Sequence, residues 1–160
     1  MTVKKTADLV DDHDDKLTFC ELSFTKFGKA DGFEGEIVTL KTFEDNKQLR
    51  SILEQPGNGR VLVVDGAGST RVAIVGDQIA ALGLQNGWAG LVLNAAIRDS
   101  ADINQMDYAV FARGTSPKKS SKTGFGQKDV PVSFGNVTFV PGHYLYADAD
   151  GILVSENRLG

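Results

Sequence analysis

The sequence predicts a single mixed α/β domain over residues 1–160, with a sheet core and helices on at least one of its faces. A chain of 160 residues has the commonest size of one domain, and a second core would be undersized. Hydrophobic residues make up 41% of the chain, which suffices for a sizeable core. Strand and helix patterns alternate in the middle of the chain, and a hairpin pattern dominates its end, so we expect an α/β fold.

Apolar, β-branched runs predict the strands. The strongest run is residues 60–65 (RVLVVD), whose almost continuous apolar character is typical of a strand buried on both faces, which helices should cover. Further single strands are predicted at residues 35–40, 90–93, 109–112 and 152–154. Residues 130–140 alternate apolar and smaller side chains and turn at Gly135-Asn136, which predicts a hairpin.

Helix patterns separate these strands. Thr42, with Asp45 three residues later, indicates a capped helix that runs to about Gln55. Two further helices are predicted over residues 77–86 and 100–106, because each begins at a capping type of residue and continues at helical spacing.

The balance of charge disfavours direct binding to nucleic acid. Seventeen basic residues against twenty-one acidic ones give a formal charge of -4, so no broad positive field is available to phosphates. A local basic stretch, Lys118, Lys119 and Lys122, lies in a long polar loop over residues 113–129, and we interpret it as solvated. Loops of this length are more often functional or interfacial than idle.

Cysteine usage and hydropathy indicate the compartment. Cys20 is the only cysteine, so no disulfide can form within the chain and an oxidising compartment is not implied. The sequence contains no run of about 18 apolar residues, and residues 1–10 lack an apolar signal region. We therefore expect a cytoplasmic protein that does not enter a membrane.

Three polar groups lie at the ends of predicted strands or helices, where loops gather ligand groups on a rigid scaffold. The first group is the glycine-rich segment 66–69 (GAGS), which either brings backbone amides towards an anion or forms a tight turn. The second is Gly76, Asp77, Gln78 and Ile79 at the start of a predicted helix. Free amides and the helix dipole there favour a carboxylate, although Asp77 could equally be a simple helix cap.

The third polar group is Arg98-Asp99, which follows the predicted strand 90–93. Arginine offers a planar fork to a carboxylate or an oxyanion, and aspartate is a hard oxygen ligand for Mg²⁺ or Mn²⁺. Together they suit the stabilisation of an enolate, whereas an isolated pair of this kind would be an ordinary surface pair.

The spacing of these residues resembles a known signature. Asp77, twenty intervening residues and Arg98-Asp99 are similar to the D-x20-R-D pattern of the 4-hydroxy-4-methyl-2-oxoglutarate/4-carboxy-4-hydroxy-2-oxoadipate aldolases. Stretches such as TADLVDD, GRVLVVDGAGS and GDQIAALGLQNGWAGLVLNAAIRD resemble the wider family that joins these aldolases to the regulator of ribonuclease activity A. The resemblance covers nearly all of residues 6–155.

The resemblance implies a swivelling β/β/α domain and a homotrimer with active sites between subunits. It implies that the amides of Gly76, Asp77, Gln78 and Ile79 bind the carboxylate of a small 2-oxo acid and that Arg98, a catalytic residue, holds a substrate oxygen. Asp99 would ligate the divalent cation, Mg²⁺ or Mn²⁺, and Asp77 would relay a proton in catalysis. The implied reactions are aldol cleavage to pyruvate and decarboxylation of oxaloacetate, both through a pyruvate enolate.

A non-catalytic role is the alternative that the same resemblance implies. Regulatory members of the family bind an RNA-degrading endonuclease and inhibit it, and the segment 41–46 (KTFEDN) together with the short chain looks more like that branch. Asp99 favours the enzyme, because regulatory members tend to lose the acid of the Arg-Asp pair. Asp148 and Asp150 either support the site or turn the chain.

Overall fold

The computed structural model describes residues 4–160, and within that range it contains four α-helices and twelve β-strands. The helices are α1 (Thr6–His13), α2 (Lys47–Leu53), α3 (Asp77–Gln85) and α4 (Ser100–Ile103). The strands are β1 (Thr18–Phe19), β2 (Thr25–Phe27), β3 (Phe33–Lys41), β4 (Val61–Asp65), β5 (Ala73–Val75), β6 (Gly90–Ile97), β7 (Val110–Thr115), β8 (Gln127–Lys128), β9 (Val132–Phe134), β10 (Val137–Phe139), β11 (Tyr144–Asp148) and β12 (Gly151–Ser155).

Ten of these strands form one mixed sheet, which confirms the predicted fold class. Its order is β1-β12-β11-β3-β4-β6-β7-β2, with β5 added beside β6 and β8 beside β3. The pairs β3–β4, β4–β6, β5–β6 and β6–β7 are parallel, whereas β11, β12, β1 and β2 pair antiparallel. The chain segments that follow these parallel strands therefore lie at the same edge of the sheet.

Strand β4 is buried on both faces, as its apolar run predicts. Residues 61–64 of this strand have no exposed surface. Leu62 and Val64 pack in one core with side chains of α2 and α3, while Val61 and Val63 pack in a second core with β9, β10, β11 and β12. Helices thus cover one face of β4, as predicted. The other face, which was also expected to be covered by helices, is covered by strands.

The predicted hairpin is confirmed as β9 and β10, which pair antiparallel. Its turn is Gly135-Asn136, and both residues have a φ of 62°. This is the conformation that a two-residue hairpin turn requires, and glycine and asparagine adopt it at little cost.

Two predicted helices begin or end at other residues. Helix α2 begins at Lys47 rather than at Thr42, because Glu44 has a positive φ of 51°, which a right-handed helix does not allow. The Thr42 hydroxyl donates instead to the Phe125 carbonyl (2.7 Å). Helix α4 ends at Ile103, short of the predicted residue 106. The acid-rich opening of the chain forms α1, which the sequence did not indicate.

No helix within residues 4–160 has the length and apolar character needed to span a membrane.

Candidate active site

The candidate site lies where β5 and β6 end side by side. Strand β5 leads through Gly76 into α3, and β6 leads into Arg98 and Asp99. The two strands are parallel neighbours, and the Arg98 amide donates to the Val75 carbonyl at 2.9 Å. Parallel pairing therefore brings the predicted groups around residues 76 and 98 together.

The Asp99 carboxylate faces the first turn of α3. Its Oδ2 accepts a hydrogen bond from the Asp77 amide at 3.1 Å. Asp99 adopts a left-handed backbone conformation, with φ of 56° and ψ of 39°, which aspartate tolerates better than most residues. The sharp turn after β6 thus directs a carboxylate at the amide end of a neighbouring helix, where negative charge is favoured.

Gly76 is the residue that permits this close approach. A Cβ atom on Gly76 would lie 2.7 Å from Oδ2 of Asp99 and 3.6 Å from Nε of Arg98. Any larger residue would push the Asp99 carboxylate away from α3, while Arg98 would stay in ordinary van der Waals contact. Gly76 is also the N-cap of α3, so Asp77 is the first residue of the helix and not its cap.

Asp77 and Asp99 form a pair of adjacent carboxylates. Partial burial, and then the neighbouring Asp99 carboxylate, raise the pKa of Asp77 above its ordinary value. Oδ1 of Asp77 accepts the Gln78 amide at 2.9 Å. Two of the amides predicted to bind a substrate carboxylate therefore already face carboxylate oxygens in this structure.

These groups line one cleft with a volume of about 530 Å³. All of the residues predicted for the site contribute to it, namely Gly76, Asp77, Gln78, Ile79, Arg98 and Asp99. The Nη1 atom of Arg98 lies 3.5 Å from the Pro117 carbonyl.

The glycine-rich segment 66–69 is a tight turn. The amides of Gly66 and Gly68 donate to the Asn94 carbonyl at 3.1 and 3.0 Å, and the Ala67 amide donates to the Asp65 carboxylate at 2.9 Å. These amides are therefore satisfied within the protein, which leaves none of the three for an anion.

Asp148 has a structural role. Its carboxylate accepts hydrogen bonds from the amide and the hydroxyl of Thr6 at 2.8 and 2.7 Å, and from the Asp150 amide at 2.9 Å. It thus anchors α1 and shapes the turn between β11 and β12.

Basic residues that the sequence analysis assigned to a solvated loop lie in the same cleft. Lys119 and Lys122 line it together with Lys47 and Arg50 of α2. Both lysines belong to residues 116–126, a segment that we call the strap. No local pattern indicated this position, because it depends on contacts between distant parts of the chain.

The strap joins the two walls of the cleft. At one end, the Ser116 amide donates to the Ile97 carbonyl at 2.9 Å and the Ala73 amide donates to the Lys118 carbonyl at 2.8 Å. At the other end, the Asn46 amide donates to the Ser121 carbonyl at 3.1 Å. The strap is therefore fixed beside Arg98 and beside the start of α2.

Asp45 holds the α2 end of the strap. Its buried carboxylate accepts hydrogen bonds from the Ser121 hydroxyl (2.7 Å), the Thr123 amide (2.6 Å) and hydroxyl (2.8 Å), and the Gly124 amide (3.1 Å). It also accepts the Lys47 amide at 3.1 Å. Asp45 therefore organises the strap and holds the first amide of α2, whereas the sequence predicted it inside a helix capped by Thr42.

The ionised form of Asp45 is favoured in the folded protein. Burial alone would raise the pKa of this carboxyl, but the hydrogen bonds from Ser121, Thr123 and Lys47 outweigh it and lower the pKa from 3.8 to about 2. A depressed folded-state pKa adds stability that is present above the unfolded value and is lost as the pH falls towards 2.

We expect Asp45→Asn to destabilise the protein by about 2 kcal/mol at pH 7, because a charged acceptor of several buried hydrogen bonds is lost. The free energy of unfolding, measured by chemical denaturation, should fall between pH 4 and pH 2 more steeply in the wild type than in the variant. Hydrogen bonds from Arg71 and Ser69 also lower the pKa of Glu44 to about 2, so Glu44 contributes to the acid unfolding of both proteins. The difference between the two curves therefore reports the contribution of Asp45.

Asp12→Asn is a matched control, because Asp12 lies exposed on α1. It should unfold with the wild-type profile. Identical acid limbs for Asp45→Asn and the wild type would contradict the assigned role.

The donor set fits a hard divalent cation. Magnesium is commonly held by one or two carboxylates and keeps several waters, and the exposed carboxylate of Asp99 is of that kind. Within residues 4–160, no group of three or more His, Cys, Asp or Glu side chains forms a cluster that could hold a metal on its own. Two carboxylates alone would leave most of a magnesium coordination shell to waters.

Comparison with known proteins agrees with this fold. The family model described as RraA-like (Aldolase/RraA) matches residues 6–154. A protein of Aromatoleum aromaticum that carries the provisional name 4-hydroxy-4-methyl-2-oxoglutarate aldolase is 51% identical over 155 residues, which are 97% of this chain and 98% of the relative.

Two solved structures are similar over nearly their whole length. One, from Geobacillus kaustophilus, is described as an S-adenosylmethionine:2-dimethylmenaquinone methyltransferase; it is 48% identical, with a TM-score of 0.96 over 98% of this chain and 97% of that one. The other is the RNA-processing inhibitor RraA from Thermus thermophilus, which is 37% identical, with a TM-score of 0.94 over 99% and 96% of the two chains.

The mixed α/β fold is thus shared with relatives that carry both catalytic and regulatory descriptions. The chain belongs to the RraA-like family.

Proposed function

We propose that this protein is a divalent-metal-dependent aldolase that cleaves 4-hydroxy-4-methyl-2-oxoglutarate to pyruvate and also decarboxylates oxaloacetate. The observation that carries the proposal is the meeting of the Arg98 guanidinium, the Asp99 carboxylate and the first amides of α3 in one cleft. The provisional aldolase name of a 51% identical relative supports the same function.

Cleavage requires a base, a fixed cation and an anchor for the substrate carboxylate. The base takes the proton of the 4-hydroxyl group, and the C3–C4 bond breaks to release one pyruvate. The electron pair of that bond passes to the C2 oxygen and leaves the enolate of a second pyruvate, which is then protonated at C3. Loss of CO₂ from oxaloacetate leaves the same enolate, so one site serves both reactions.

Each role falls to a residue of the cleft. Arg98 donates to the C2 oxygen as negative charge develops there, and such preorganised donors lower the barrier most. Asp77 takes the hydroxyl proton, directly or through a water. The amides of Gly76, Asp77, Gln78 and Ile79 would bind the substrate carboxylate, which has to replace the carboxylate oxygens that the Asp77 and Gln78 amides face in this structure. Asp99 would hold Mg²⁺ or Mn²⁺. When bound, that cation supplies further positive charge beside the substrate oxygens.

The deciding experiment measures pyruvate release from 4-hydroxy-4-methyl-2-oxoglutarate and from oxaloacetate. We expect turnover with Mg²⁺ above the background of the metal alone, and its loss on addition of EDTA. Heat-treated protein with the same metal is the control, because metal ions alone decarboxylate oxaloacetate. Turnover no faster than that background would reject the aldolase.

A regulatory role is the second candidate. The 37% identical relative from Thermus thermophilus is described as an RNA-processing inhibitor, and a relative from Streptomyces coelicolor that is 27% identical is described as a member of an RNase ES inhibitor family. In this role the protein would bind an RNA-degrading endonuclease and catalyse no reaction.

By the same family relationship, we propose that the chain is one domain and assembles as a homotrimer.

A further inference from the structure

The charge of the cleft differs in sign from the charge of the chain. The chain carries a formal charge of -4. The cleft is nevertheless lined by five cationic side chains against three acidic ones. A local excess of positive charge in an acidic protein indicates an anionic ligand.

Three of these cations have no carboxylate partner in the folded protein. Within residues 4–160, the ion pairs closer than 4 Å are all made by arginines, including the Arg50–Glu54 pair at 3.7 Å. Lys47, Lys119 and Lys122 are left unpaired. Their ammonium groups are therefore free to bind a ligand.

The three lysines come from two elements that the protein fixes in place. Lys47 begins α2, and its amide donates to Asp45. Lys119 lies beside β5, where its residue bridges to Ala73. Lys122 lies between Ser121 and Thr123, which both donate to the Asp45 carboxylate. The strap thus presents two lysines on a backbone held at both ends.

Arg98 and the first turn of α3 already account for one carboxylate and its adjoining oxo group. The lysines line the rest of the same cleft. We propose that Lys47, Lys119 and Lys122 form a second anion subsite, which binds the distal carboxylate of a 2-oxo dicarboxylate and selects it over a 2-oxo monocarboxylate. This inference rests on the proposed function, in which Arg98 binds the 2-oxo end of the substrate.

The test compares two ligands that differ only in the distal carboxylate. The first, 2-oxoglutarate, has the same main chain and both carboxylates of 4-hydroxy-4-methyl-2-oxoglutarate but lacks the 4-methyl group and the hydroxyl group needed for cleavage. The second, 2-oxopentanoate, lacks the distal carboxylate. Titration calorimetry with Mg²⁺ gives Kd for each ligand, and the wild type should bind 2-oxoglutarate at least about tenfold more tightly.

Lys119→Met/Lys122→Met should remove most of that preference, because the neutral side chains keep the length and apolar stem of lysine. Lys118→Met is the matched control, since Lys118 is an exposed strap residue that is absent from the lining of the cleft, and it should keep the wild-type ratio. Lys119→Arg/Lys122→Arg keeps both charges and should also retain the preference. Thermal melting of each variant separates a lost subsite from a lost fold.

Equal affinities of the wild type for the two ligands would overturn the subsite, and so would an unchanged ratio in the double methionine variant. The result is independent of turnover. A wild type that prefers 2-oxoglutarate but releases no pyruvate keeps the subsite and rejects only the aldolase. A wild type that releases pyruvate but binds both ligands equally keeps the aldolase and rejects only the subsite.

Discussion

Asp99→Ala should reduce pyruvate release to the level of the metal alone. Asp99 is the residue that we assign to the cation, and its exposed carboxylate lies at the Asp77 amide. Without it, the site loses its oxygen ligand at the end of β6. The measurement is the rate of pyruvate release with saturating Mg²⁺, together with Mn²⁺ binding followed by electron paramagnetic resonance.

Asp99→Asn separates the charge from the shape of this residue. Asparagine accepts the left-handed backbone and can still accept the Asp77 amide, so the fold around φ of 56° is preserved. We expect Asp99→Asn to lose metal binding and turnover as Asp99→Ala does, but to melt at the wild-type temperature. Wild-type turnover in Asp99→Asn would remove Asp99 from the metal site.

The same variants distinguish the two candidate functions. Binding of an RNA-degrading endonuclease that persists in Asp99→Asn would be independent of the chemistry of the cleft. A protein that binds the endonuclease and has no turnover in the wild type is a regulator.

Arg98→Ala should lower kcat by a factor on the order of 10² or more, as the loss of an oxyanion donor does. Its side chain contributes little to the fold, because its hydrogen bond to the Pro117 carbonyl is long, at 3.5 Å. The expected effect is therefore catalytic, and the melting temperature should change little. Steady-state rates of pyruvate release, with separate kcat and KM, provide the measurement.

Arg98→Lys is the matched variant. It keeps the charge but replaces the planar fork by a single ammonium group, so its rate should lie between those of Arg98→Ala and the wild type. An unchanged kcat in Arg98→Ala would exclude Arg98 from the reaction.

The local patterns of the sequence were sufficient for several of the main strands, but they did not indicate β5, which leads into Gly76. The apolar run of β4 and the helix that begins at Asp77 depend on neighbours a few residues apart, and both were predicted from them. The adjacency of Arg98 and Asp99 is fixed by the covalent chain. The resemblance to a known signature connected that pair with Asp77.

The tertiary structure alone decided what surrounds these residues. The role of Asp45 follows from hydrogen bonds between Asp45 and Thr123, which are 78 residues apart, and no periodicity encodes such contacts. For the same reason, Lys119 and Lys122 were assigned to a solvated loop although they line the cleft. Backbone patterns report short-range preferences, whereas the charge around a site depends on which distant segments the sheet brings together.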